Sequence, residues 1–188
     1  MTALTMEQRR ADFEAMLAHA ERARQATSKF WTTEEDTPGK PIASLARDVA
    51  ELCASWAANA KRAQTHHPSD QVKDLAILVA ARCLQAINGT GWTIPEALDY
   101  ITEDCALYCW EGNDDNLNHL DLATAPNVRI QNLIVSLGYV AEWWPIKVST
   151  TINRDTLMEQ QTSLSHLAFE AVCAALAAER GLWQEEES

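Results

Sequence analysis

Between Arg82 and Arg129 this 188-residue sequence has no lysine or arginine, and its whole length holds only six glycines and six prolines. Sparse glycine and proline argue against a turn-dense β architecture and for helices, which the abundant alanine also favours. No stretch of about 18 or more apolar residues occurs, so no segment reads as a membrane-spanning helix. The opening run "MTALTMEQRRADFEAML" meets arginines and acids before any apolar core of the kind a signal peptide needs, and the expectation is a cytoplasmic protein. The local signatures of catalysis are missing too: there is no G-x-S-x-G, no P-loop, no G-x-G-x-x-G and no H-E-x-x-H. A catalytic assembly built from distant residues stays open, but the sequence points away from an enzyme.

Five cysteines, Cys53, Cys83, Cys105, Cys109 and Cys173, are odd in number and scattered among apolar neighbours. They read as buried free thiols rather than a disulfide framework. Cys105 and Cys109 lie four apart, yet no second Cys or His pair at finger-like spacing accompanies them. No zinc site, other metal site or cofactor is therefore expected.

What the chain does have is helical periodicity. A hydrophobic fraction of 47% with 22% charged residues suits a globular protein, and the length suits one domain. The first helix is expected over 5–29, with "TMEQ" as a capping box and Phe13, Met16, Leu17 and Ala20 at helical intervals. A polar linker, 32–43, follows, and "TTEEDTPGKP" makes up most of it. The second helix, 44–63, carries Leu45, Val49, Leu52, Cys53 and Trp56 on one stripe. The third, 70–88, is apolar on most sides and is expected to be the central, most buried one, stopped by the glycines of "NGTG".

"TIPE" is the clearest local start signal, with Thr93 as cap, Pro95 in the first turn and Glu96 three residues after the cap, and its helix should reach about 111. Asn127 is expected to cap a fifth helix whose apolar stripe is Val128, Ile130, Leu133, Ile134, Leu137 and Val140. A last helix covers 154–180, before a frayed acidic tail at 181–188. Trp56 and one of Trp143 and Trp144 belong to the core, whereas Trp31, Trp92 and Trp183 sit at helix ends. The fold class is all-α: a compact, bundle-like single domain, 1–188, of about six helices.

Two metal readings deserve a test. In "WEGNDDNLNHLD", Asp114, Asn116 and Asn118 alternate like the ligands of an EF-hand loop. Counted from Asp114, however, the glycine required at position 6 is His119 and the glutamate required at position 12 is Ala125. Helical carboxylate pairs are the second case: "DVAE" (Asp48, Glu51) and "EALD" (Glu96, Asp99) loosely resemble the motifs of all-α nucleotide pyrophosphohydrolases, and that resemblance implies magnesium held between helices. A bundle-core site needs inward carboxylates. At about 100° per residue, Glu96, Asp99 and Glu103 lie opposite Ile94, Leu98, Ile101 and Cys105, and so point outward.

Charge is the stronger signal. The interval without a basic residue contains Glu96, Asp99, Glu103, Asp104, Glu111, Asp114, Asp115 and Asp121, on a chain of net charge −12. Such a surface attracts basic partners and repels nucleic acid. Leu107 and Trp110 fall toward the acidic side of the fourth helix, where an aromatic anchor inside a charged rim suits a protein interface. Asp99, Glu103, Leu107, Trp110, Glu111, Asp114 and Asp115 are the candidate partner-binding residues. The function expected is a non-catalytic acidic binding module docking on a basic surface of another protein. One version is an inhibitor or immunity-type protein whose carboxylates mimic nucleic-acid phosphates. A nucleotide hydrolase and a structural adaptor are the alternatives, and the apolar stripes leave a homodimer through helices open.

Overall fold

Thr5 opens the first helix by the reciprocal pairing that "TMEQ" announces. Its backbone N–H donates to Gln8 Oε1 at 2.9 Å, and the Gln8 N–H donates to Thr5 Oγ1 at 3.2 Å. Each bond satisfies a donor that the first helical turn leaves without a partner. The computed structural model describes residues 5–27, 40–62, 70–110, 126–144 and 154–180. These form α1 (Met6–Thr27), α2 (Lys40–Arg62), α3 (Asp70–Gly89), α4 (Ile94–Trp110), α5 (Pro126–Trp143) and α6 (Arg154–Arg180). No strand occurs among the described residues.

Two helix starts differ from expectation, both at proline. The linker expected over 32–43 ends early, because α2 already begins at Lys40 with Pro41 in its first turn. Likewise α5 begins at Pro126, so Asn127 lies inside the helix instead of capping it. Proline tolerates a first helical turn, since the N–H it lacks would have had no acceptor there. The α3–α4 connection follows "NGTG" closely: Thr90 N–H donates to the Ile87 carbonyl at 2.9 Å, and Gly91 takes a φ of 96°. That left-handed conformation is one that glycine adopts without strain.

The helices pair into three layers. α3 and α6 pack together in the middle, α2 and α5 pair on one side, and α1 and α4 on the other; α2 touches α3, α5 touches α6, and both α1 and α4 touch α3 and α6. One core runs through all of them, with Phe13, Leu52, Trp56, Leu84, Ile101, Leu133 and Leu167 fully enclosed. Phe13 of α1 meets Phe169 of α6 with ring centroids 5.3 Å apart.

The most buried run lies in α6 rather than in α3, where the sequence pattern set it. Every residue from 163 to 178 except His166 is buried. Ala168, Ala171, Ala174, Ala175, Ala177 and Ala178 supply much of that run, and their small side chains let neighbouring helices approach closely from several directions. Polar ties join the layers. Asp48 on α2, 3% exposed, is held by Arg82 of α3 and by Arg47 at 3.1 Å. Gln160 Nε2 of α6 donates to the Trp143 carbonyl at 2.9 Å, which satisfies an acceptor at the C-terminal end of α5.

Candidate functional site

The acidic face is built on α4, and its geometry starts at the cap. Glu96 Oε2 accepts from the Thr93 backbone N–H at 2.8 Å and from Thr93 Oγ1 at 2.7 Å, while the Glu96 N–H donates to Thr93 Oγ1 at 3.4 Å. These bonds hold the Glu96 carboxyl below its ordinary value. Ala97, Ile101 and Cys105 then recur at i, i+4 and i+8, and this row is buried against the middle layer. The helical period places Asp99 and Glu103 about 160° from the centre of the buried row. Both are exposed, as is Asp104.

α4 leans on α6 through Tyr100, which bonds with Thr162 and packs its ring on Trp92 at a centroid distance of 5.2 Å. Burial pushes the Tyr100 hydroxyl above its ordinary value; the Thr162 hydrogen bond pulls the other way, and Cys105, Asp104 and Glu159 add to the rise. Glu159 of α6 and Asp104 of α4 therefore both act on Tyr100. Among the described residues, no lysine or arginine pairs with Asp99, Glu103, Asp104 or Glu159.

Of the seven residues singled out from sequence, Asp99 and Glu103 stand together on the outer surface of α4. Leu107 and Trp110 belong to the last turns of α4, but their side chains lie outside the described residues, as do Glu111, Asp114 and Asp115 altogether. The "WEGNDDNLNHLD" stretch beyond Trp110 is likewise outside them. Sequence reasoning missed Glu159 and Tyr100. Glu159 comes from a different helix, and no spacing rule links it to Asp104.

The carboxylate pairs do not converge on a metal position. Asp48 is engaged by two arginines, whereas Glu51, Glu96 and Asp99 are exposed. No group of three or more His, Cys, Asp or Glu side chains among the described residues could hold a metal ion. A groove of about 360 Å³ between α1 and α6 is lined by Asp12, Met16, His19, Arg22, Leu176 and Glu179. Glu179 pairs there with Lys73 at 2.6 Å, so that surface mixes both signs of charge and is distinct from the acidic one. No described helix is long and apolar enough to cross a membrane.

Compared with known proteins, the chain matches no family model, no curated sequence and no solved structure.

Proposed function

We propose that the protein is a non-catalytic docking module whose α4 surface engages a basic surface of another protein. In this reading it acts in the manner of an inhibitor or immunity-type protein, its carboxylates occupying positions that phosphates would take on the target. The observation that carries the reading is the exposure of Asp99 and Glu103 on the outward side of α4, with Asp104 exposed on its flank near Glu159 of α6, and no cation paired to any of the four among the described residues. A rigid helix presenting unpaired charge speeds encounter with a cationic surface and fixes its orientation. The same field disfavours nucleic acid as a direct ligand. Free thiols at Cys53, Cys83, Cys105 and Cys173 fit a reducing compartment, and we place the module in the cytoplasm as part of this proposal.

The test is capture of a partner from the native host by the wild-type chain and by a variant carrying Asp99→Lys, Glu103→Lys, Asp114→Lys and Asp115→Lys. The variant should lose the partner while its thermal stability stays nearly unchanged, because surface substitutions typically move stability by no more than about 0.5 kcal/mol. The captured protein should be released by raised salt and by a polyanion such as heparin, which competes for a basic surface. Undiminished capture by the reversed-charge variant would sink the proposal.

A further inference from the structure

We infer that the outer face of α5 is a homodimer interface, on which α5 of a second copy packs antiparallel. The inference starts from an inversion within the helix. The row that α5 turns inward is Arg129, Leu133, Ser136 and Val140, all buried. Outward it presents Val128 at 38% exposure, Ile134 at 56%, Val135 at 47% and Tyr139 at 57%. Val128 and Ile134 thus leave the buried stripe in which the sequence placed them. A helix that buries an arginine and a serine while exposing four bulky apolar side chains is apolar on both sides, as helices with partners on both sides are.

Charge sets where two copies of this chain can meet. Each chain carries a net charge of −12, so two copies repel through most of their surface. On the outer half of α5 the one charged residue is Glu142, flanked by Gln131, Asn132, Gly138 and Ala141. A basic partner is drawn instead to α4, which lies in the opposite outer layer. Pairing through α5 therefore joins the two chains at a nearly neutral surface and keeps their acidic faces far apart. By their fractional exposures, the four apolar side chains offer roughly 400 Å² per copy, about half of the ~800 Å² per partner of a stable interface, and these flanking residues add to it.

The pairing direction follows from Gly138 and Glu142. Gly138 faces solvent, and a Cβ placed on it would meet no heavy atom within 4 Å. It marks a low point where two helices can approach closely. With a two-fold axis at Gly138, Val135 of one copy meets the small Ala141 of the other, and the two Glu142 residues stand about 12 Å apart along the helix at 1.5 Å per residue. That separation exceeds the screening length of roughly 8 Å at physiological salt, whereas parallel pairing would set the two glutamates side by side.

Sedimentation equilibrium across the micromolar range tests this directly. Wild type should sediment at twice the chain mass of 20.9 kDa. Gly138→Glu should sediment as a monomer with full helix content, since glutamate is the better helix former and has open space to enter. Val135→Glu should give the same result, and Asp99→Lys with Glu103→Lys should remain dimeric, which separates this interface from the docking surface on α4. A monomeric wild type would overturn the inference and assign the α5 face to a different protein. A dimer that survives both Gly138→Glu and Val135→Glu would overturn it by placing the interface elsewhere.

Discussion

Arg129 of α5 and Glu170 of α6 oppose each other inside the bundle, Nη1 to Oε2 at 3.7 Å, with side-chain exposures of 0% and 8%. Taking both charges out of water is costly, and their attraction recovers that cost only while both are present. Glu170→Leu, which removes a buried carboxylate facing Arg129, should destabilise the protein, by up to about 3–5 kcal/mol. Combining it with Arg129→Met should lose less than the two single changes added together, because both members of the buried pair are then replaced by apolar side chains. Urea titrations of the three variants, compared at constant m-value, give the answer.

The cap of α4 makes stability depend on pH in a predictable direction. Thr93→Ala should cost about 1 kcal/mol through loss of the side-chain acceptor for the Glu96 N–H. The Glu96 carboxyl is held below its ordinary value of 4.5 by its bonds to Thr93. Its stabilisation is therefore fully present above the unfolded value and disappears as pH falls through the lower folded one. The Tm gap between wild type and Glu96→Ala should be constant near neutrality and close in that acidic window. A gap that stayed open below it would refute this role for the carboxylate.

Thiol chemistry should follow burial. Desolvation raises Cys83 far above an ordinary thiol and raises the half-buried Cys53 as well. Thiolate is the reactive form, so native-state labelling of Cys53 should be slower than that of a free thiol, and labelling of Cys83 should proceed only through unfolding. Mass mapping of the alkylated chain over time distinguishes the two. Adding sub-denaturing urea should accelerate Cys83 labelling in step with the fall in global stability.

The sequence disclosed local features far better than relationships between distant ones. "TMEQ" and "TIPE" each describe a complete hydrogen-bonding unit within four residues, and both helix starts are where those residues put them. Apolar periodicity likewise identified Leu45, Val49, Leu52 and Trp56 as one buried row. It failed on α5, because a helix apolar on two sides does not reveal which side faces its own core. It also underrated α6, whose enclosed surface is largely alanine, a residue with a weak hydropathic signal. The acidic surface was half legible: Asp99 and Glu103 follow from the period of α4, but Glu159 comes near Asp104 and Tyr100 only through the packing of α6.

The place of α6 bears on how the chain can fold. It is sixth in chain order yet lies in the middle layer, in contact with α1, α3, α4 and α5. Contacts between α1 and α6 close a loop containing every other helix, the kind of long-range closure that slows folding and makes it cooperative. Until α6 docks, α3 has no partner in its own layer, and α1, α4 and α5 each lack a neighbour. The middle layer of the bundle, and the contacts of α1, α4 and α5 with it, are therefore complete only once the sixth helix is in place.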